Sequence, residues 1–335
     1  MDKIAHFVQK SNCNATTVAV FGAIGAAVVA FKALSFLKVL VDVFFRSGLN
    51  LKKYGAGNGG WAVITGASDG IGKEFAFQLA SKKLNIVLVS RTESKLKALA
   101  QELEQKYSVE TKIYAMDFTK GADQDYQALQ QMLAPVNVTV LVNNVGTNHE
   151  IPTPFEQESD KIIKDIVEVN INAAMKMTKI VVPQMVARKN GLIINLGSFA
   201  GLVPTPYLSV YSGSKAFLSS WSQAIGAELS PKGIQVQNVN TYFVVSAMSK
   251  IRRATMLIPM PKPYVRSVLG QVGISGGAST PYTSTPFYSH AIANWLIDNV
   301  FSRGFWVQQN YNIQTDIRKR ALRKREREAA AAKNQ

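Results

Sequence analysis

Apolar residues fall into two kinds of pattern along the chain. From Thr16 to Leu37 the run TTVAVFGAIGAAVVAFKALSFL carries Lys32 as its only charge, and it is long enough to supply the roughly 20 apolar residues that a bilayer core demands. Beyond a glycine-rich stretch at Tyr54–Gly60, short apolar runs recur at Trp61–Thr65, Asn85–Arg91, Lys112–Met116, Val138–Val142, Gly191–Leu196 and Gly233–Asn240. Each has the length of a buried strand, and the stretches between them, such as Lys73–Lys82, read as helices. Strands alternating with helices predict an α/β fold built on a doubly wound parallel sheet, with ligands at the carboxyl ends of the strands. An N-terminal transmembrane helix precedes it.

A cleavable signal peptide is a poorer reading of the first run, because Lys32 and Lys38 stand where a small-residue cleavage site belongs. A core helix is also poorer, because the run has no polar face. Lys3 and Lys10 lie upstream, against Lys38, Arg46, Lys52 and Lys53 downstream, so the positive-inside rule puts everything after the span in the cytosol. Lys32, one turn from the end of the run, can snorkel to that interface. The expected organisation is a lumenal segment over residues 1–15, the anchor over 16–37, a juxtamembrane linker over 38–60, a catalytic domain over 61–312 and a basic tail over 313–335. Five prolines between Pro259 and Pro286, with Gly270, Gly273, Gly276 and Gly277, predict a substrate flap of little regular structure over about 246–286. Phe287–Val307 is aromatic but holds His290, Asp298 and Arg303, which suits a membrane-facing or core helix better than a second span.

The 335 residues carry a net charge of +16. Much of it sits in Arg318–Gln335, which reads as a solvated helix or tail and suits an anionic cytosolic leaflet. No aromatic-interleaved patch accompanies it, so nucleic acid is not an expected partner. Cys13 is the single cysteine; an internal disulfide is excluded, and no Cys/His cluster has the spacing of a metal site.

Candidate chemistry begins after the first strand, where Thr65-Gly66-Ala-Ser-Asp-Gly70-Ile-Gly72 opens a helix. Glycines there permit a tight turn and bring backbone N–H groups and the positive helix end onto a pyrophosphate. Gly66, Ser68, Asp69, Gly70, Ile71 and Gly72 are thus candidate cofactor contacts. The second strand ends in Arg91, where a NAD site places an acid for the ribose 2′-hydroxyl; a guanidinium suits a 2′-phosphate instead, which favours NADPH. The spacing G-x-x-x-G-x-G resembles the short-chain dehydrogenase/reductase family, with its Rossmann-like fold. That resemblance assigns Asp117 to the adenine, Asn144 and Gly146 of Asn143-Asn-Val-Gly146 to the cofactor wall, and Val244 and Ser246 to the same cofactor. Val145 departs from the family's usual alanine.

Tyr211 and Lys215 lie four residues apart on one helix face. Ketone reduction needs a proton for the oxygen as hydride reaches carbon, and a neighbouring ammonium lowers the pKa of a tyrosine that supplies it. Lys215 can also hold the nicotinamide ribose. Ser198, at a strand end, can donate a hydrogen bond to the substrate oxygen. The resemblance gives Asn170 a supporting place in a proton relay. Tyr-x-x-x-Lys alone is usually an ordinary surface pair, but here the glycine loop, Asn143-Asn144-x-Gly146, Asn170 and Ser198 precede it in order.

After the last core strand, Thr241-Tyr-Phe-Val-Val-Ser-Ala-Met248 replaces the family's usual Pro-Gly. With the anchor and Ser249-Lys-Ile-Arg-Arg253, it resembles the fungal type of microsomal 3-ketoacyl-CoA reductases of fatty-acid elongation, relatives of the type 12 17β-hydroxysteroid dehydrogenases. The resemblance implies NADPH-dependent reduction of very-long-chain 3-oxoacyl-CoA to 3-hydroxyacyl-CoA at the endoplasmic reticulum membrane, with a cytosolic catalytic domain and other elongation enzymes as partners. Arg252, Arg253, Lys262 and Arg266 are candidates for coenzyme A phosphates, and Met248, Met256, Leu257, Ile258 and Met260 for the acyl chain; solvation and core packing account for them equally well. A membrane-anchored reductase of steroid or other lipid ketones stays open. So does a non-catalytic nucleotide-binding scaffold, against which the intact Ser198, Tyr211 and Lys215 argue.

Overall fold

The runs Trp61–Thr65, Val138–Asn143 and Gly191–Leu196 are buried at every position because helices cover both faces of the sheet. The computed structural model describes residues 15–333; the rest of the expected lumenal segment, with Cys13, and the last two residues of the basic tail lie outside them. Helix α1 (Ala15–Phe44) leads through a tight turn at Leu51–Tyr54 to β1 (Trp61–Thr65), α2 (Gly70–Ser81), β2 (Asn85–Ser90), α3 (Glu93–Tyr107), β3 (Thr111–Ala115), α4 (Asp123–Leu133) and β4 (Val138–Asn143). After α5 (Asp160–Val167), one widened helical turn at Glu168–Asn172 runs into α6 (Ala173–Arg188), β5 (Gly191–Leu196), the one-turn α7 (Phe199–Leu202), α8 (Ser209–Leu229) and β6 (Ile234–Val239). There follow α9 (Pro261–Gly270), β7 (Thr283–Ser284), α10 (Tyr288–Asn299) and α11 (Arg303–Lys333).

The seven strands pair in the order β3-β2-β1-β4-β5-β6-β7, all parallel. Alternation along each strand splits the core in two. Ala62 and Ile64 of β1 join Phe75, Leu79, Leu96, Tyr264 and Val268 from α2, α3 and α9 on one face. Val63 joins Leu129, Leu133, Met177 and Val181 from α4 and α6 on the other. Each such large side chain, buried from water, contributes about 1.5–3 kcal/mol. The order reverses between β1 and β4, where a doubly wound sheet opens its ligand crevice.

Four of the expected limits differ from the elements the chain forms. Helix α1 does not stop at Leu37 but continues into the expected linker, because Val39 and Asp42 are buried against the domain and the Asp42 carboxylate is held by Lys38 at 2.6 Å and Arg46 at 2.8 Å. The rest of that linker belongs to the domain, with Tyr54 wholly buried and its carbonyl accepting from Thr139 Oγ1 at 2.6 Å. The expected flap is largely structured: Pro261 and Pro263 begin α9, which buries Tyr264, Val265 and Val268, and Thr283–Ser284 adds β7 to the sheet. A proline in the first helical turn loses no hydrogen bond, so it starts a helix there rather than breaking one. The boundary expected at residue 312 falls inside α11, which runs unbroken from Arg303 to Lys333 and buries Gln314.

Irregular chain does remain between β6 and α9, and His290 of α10 pins it. Its Nε2–H donates to Leu257 O at 3.0 Å, and Nδ1 accepts the Tyr242 N–H at 3.5 Å. Rings of Phe199, Tyr242, Tyr264 and Phe287 surround the imidazole, and burial pushes its pKa down to about 4, against the Leu257 bond, which raises it. The contribution to stability is therefore complete above the unfolded-state value near 6.5 and is lost as pH falls toward about 4, at about 1.4 kcal/mol per pH unit. Thermal melts of the detergent-solubilised chain should lose stability more steeply between pH 6.5 and 4.5 than melts of His290→Asn; parallel slopes would refute the assignment.

Candidate active site

At the reversal point, backbone packs on backbone. Thr65 Oγ1 accepts the N–H groups of Asn144 at 3.0 Å and Val145 at 3.1 Å, while Asn144 Nδ2 donates to Thr65 O at 2.9 Å. Gly72 fits under this clamp only because it lacks a side chain: a Cβ there would lie 2.2 Å from Gly66 O and 2.5 Å from Asn144 Nδ2. Gly66 adopts φ +66° and Gly70 φ +54°, the left-handed region that glycine occupies without strain. The start of α2 carries no side-chain cap from Asp69 and no acidic residue in its first turn, so its leading N–H groups are left for an anion.

A cavity of about 710 Å³ opens here, within the range of small-molecule and cofactor sites. Gly66, Asp69, Gly70, Ile71, Asn144 and Gly146 line one end of it, with Arg91 and Asp117 beyond them. Arg91 is exposed and makes no ion pair or hydrogen bond among the described residues, leaving its guanidinium available to a phosphate. Burial raises Asp117, but hydrogen bonds from the Thr119 hydroxyl and amide, with the nearby Arg91 charge, outweigh it and hold the carboxyl below its usual range. Val244 and Ser246 close this end. Ser68 and Gly72 support the loop without reaching the cavity; the Ser68 and Ser90 hydroxyls share a hydrogen bond at 2.8 Å. The residues present fit a phosphorylated dinucleotide.

Ser198, Tyr211 and Lys215 meet in the middle of the cavity. Ser198 follows β5 and caps α7, its Oγ accepting the Ala200 N–H at 3.1 Å. Lys215, buried, donates from Nζ to Leu196 O at 2.8 Å and lies 5.8 Å from the centre of the Tyr211 ring. The expected depression of the tyrosine pKa is absent. Burial pushes Tyr211 up, against a hydrogen bond with Ser198, and pushes Lys215 down to about 8. Taking both groups out of water penalises both charged forms, and the ammonium bonds to a carbonyl rather than to the phenol.

Asn170 does not line the cavity. It sits in the widened turn Glu168–Asn172, where Oδ1 accepts the Thr147 N–H at 2.8 Å and Nδ2 donates to Thr147 O and to Ser214 Oγ, each at 3.0 Å. Its place is that of a clamp between the Gly146–Thr147 loop and α8. Widened turns of this kind recur at functional sites because they swing one side chain out of helical register.

The far end of the cavity was not foreseen in the sequence. Phe199, Val203 and Leu208 form one wall; Leu296 and Ile297 of α10 and Trp306 and Ile313 of α11 form the other. Trp306 Nε1 is buried there without a partner among the described residues, an N–H donor on an apolar wall. The basic helix α11 straps across this wall: Asn310 Nδ2 donates to Pro204 O at 3.2 Å, Arg318 Nη1 to Pro152 O at 2.7 Å, and Arg325 pairs with Glu150 at 2.7 Å. Of the residues expected near an acyl-CoA, Met248 and Leu257 line the cavity; Arg252, Arg253, Lys262 and Arg266 are exposed and do not.

Residues 60–257 match the short chain dehydrogenase family. A very-long-chain 3-oxoacyl-CoA reductase of Podospora anserina is 51% identical over 312 residues, covering 92% of each chain. Among solved structures, a 7β-hydroxysteroid dehydrogenase superimposes with a TM-score of 0.69 at 19% identity, over 78% of this chain and 99% of its own. A short-chain dehydrogenase from Sphingobium yanoikuyae in complex with NADPH gives a TM-score of 0.53 at 25% identity, over 76% of this chain and 94% of its own. With a family match over more than half its length and relatedness of that degree across nearly all of it, the chain belongs to the short chain dehydrogenases.

Proposed function

We propose that the protein is an NADPH-dependent reductase of very-long-chain 3-oxoacyl-CoA, yielding 3-hydroxyacyl-CoA. The observation that carries it is one cavity with two chemically different ends, a phosphate-binding glycine loop and an apolar chamber, with Ser198, Tyr211 and Lys215 between them. The relative from Podospora anserina bears the name of this activity. Arg91 favours the 2′-phosphate of NADPH by charge-assisted bonding; the dinucleotide, when bound, would supply the hydride that reduces the C3 carbonyl. Tyr211, kept protonated at neutral pH by burial, gives its proton to the carbonyl oxygen as the C–O double bond opens. Ser198 donates a hydrogen bond to that oxygen, and the Lys215 ammonium stabilises the tyrosinate left behind.

Helix α1 is long and apolar enough to cross a membrane, and the lysine and arginine asymmetry around it supports a cytosolic catalytic domain. We place the enzyme in the endoplasmic reticulum membrane, beside the enzymes that make its 3-oxo substrate by condensation and dehydrate its 3-hydroxy product.

NADPH oxidation by the detergent-solubilised full chain, given 3-oxoacyl-CoA substrates of increasing length and a steroid ketone, tests the substrate. Acyl-CoA turnover is expected; turnover of the steroid alone would refute the reading. Tyr211→Phe should lower kcat by about a hundredfold or more, the usual weight of general acid catalysis, while NADPH binding persists. Arg91→Asp should cut the NADPH-over-NADH ratio of kcat/KM at least about tenfold, or about 1.4 kcal/mol; an unchanged ratio would assign the 2′-phosphate to another group.

A further inference from the structure

The anchor and the substrate chamber meet at one corner of the domain. Helices α1 and α10 run antiparallel: the Phe44 ring lies 6.1 Å from Tyr288, Trp295 packs on Phe36 at 4.9 Å and donates to Ser35 Oγ at 2.9 Å, and Lys32 Nζ donates to Asn299 O at 2.9 Å. The carboxyl end of α10 therefore points toward the amino-terminal end of α1, whose residues from Ala15 to Phe31 are exposed apart from a half-buried Thr17. Lys32 does not reach freely into solvent; it caps α10, a cation at the negative end of a helix.

Helix length fixes how deep this corner sits. Ala15–Phe31 supplies only about 25 Å at 1.5 Å per residue, and Ser11, Asn12 and Asn14 stand before it in sequence. An apolar bilayer core is about 30 Å thick. About one more turn of α1 is needed to complete the span, and that turn, Lys32–Phe36, is the one holding the end of α10. Beyond Asn299 the corner exposes Val300, Phe301 and Phe305, 49%, 52% and 38% accessible, with the two phenylalanine rings stacked at 4.4 Å. Leu296, one turn earlier, is 38% exposed and lines the chamber, as do Ile297 and Trp306. Trp306, which lines the chamber, packs against Phe301 at 5.7 Å and Phe305 at 5.1 Å, so the chamber wall and the apolar corner are in contact.

We propose that the α10–α11 corner is immersed in the cytosolic leaflet and forms a lateral portal, through which the substrate's acyl chain passes from the bilayer to the chamber while its coenzyme A head stays in water. This rests on the anchored acyl-CoA reductase reading above. Singly exposed apolar residues are ordinary, but a contiguous aromatic corner at the exit of a membrane span marks a membrane contact.

The full chain carrying Cys13→Ser and Phe301→Cys, labelled with an environment-sensitive NBD dye and reconstituted in phosphatidylcholine vesicles, reports immersion. Lipids brominated on their acyl chains should quench the dye at 301 several-fold more than at Gln130→Cys on α4. Equal quenching, or shielding at 301 without quenching, would overturn the membrane contact. In the same vesicles, Phe301→Glu with Phe305→Glu should raise KM for a C20 3-oxoacyl-CoA at least fivefold and leave kcat/KM for acetoacetyl-CoA within twofold. An unchanged long-chain KM would overturn the portal. Should the unmodified enzyme reduce neither thioester, the activity reading falls, and the bromolipid result still decides the contact.

Discussion

The catalytic crevice depends on one close approach of backbone to backbone. Where the strand order reverses, β1 and β4 send their connections to opposite faces and would gape; Thr65 and Asn144 tie them together across that point with reciprocal hydrogen bonds. The tie leaves so little room that position 72 accepts no side chain. Its consequences reach the chemistry. It fixes the start of α2 against the sheet, aims unbonded N–H groups into the crevice, and holds Gly146 beside Asn170 and Lys215, since a Cβ on Gly146 would lie 3.4 Å from Asn170 Oδ1 and 3.9 Å from Lys215 Nζ.

Burial then sets the proton inventory. In the proposed reaction Tyr211 must be protonated before it can act, and desolvation, which raises its pKa, favours that state at the cost of acid strength. Lys215 is drawn the other way, to about 8, so its charge near neutral pH is kept within a unit or so of being lost. The two shifts share one cause, the exclusion of water by the chamber walls. That same exclusion magnifies any hydrogen bond Ser198 makes to a developing alkoxide. The site thus trades acidity in the resting state for stronger stabilisation of charge when charge appears.

Much of this was legible in the sequence where a residue type admits one physical use. Short, mostly apolar runs alternating with helical stretches predicted six of the seven strands, and Gly66, Gly70, Arg91, Ser198, Tyr211 and Lys215 all converge on one cavity. What was hidden depends on context. Thr283–Ser284 is too short to have a pattern, and Pro261 and Pro263 read as breakers until their place at a helix start is known. Asn170 faces the Gly146–Thr147 loop instead of the cavity, a matter of one widened turn that no periodicity records. The apolar chamber escaped notice because its walls come from segments more than a hundred residues apart, Leu208 on one side and Ile313 on the other.

Helix α10 joins the anchor to the chemistry because it has three faces in use at once. Its outer face meets α1 through Trp295, its buried face holds the loop after β6 through His290 and the sheet through Asn294, and Leu296 and Ile297 look into the chamber. Asn294 Oδ1 accepts from both Asn240 Nδ2 at 3.2 Å and Thr285 Oγ1 at 2.9 Å, so the helix cannot slide without breaking buried hydrogen bonds. An anchor fixed to such a helix is not a loose tether. With α1 across a bilayer as proposed, it would set the height and tilt of the chamber relative to the membrane, and a substrate whose tail prefers lipid and whose head prefers water would be oriented before it reached Tyr211. In that proposal part of the entropy cost of aligning a long flexible chain would be met by the bilayer, leaving the cavity to position the carbonyl.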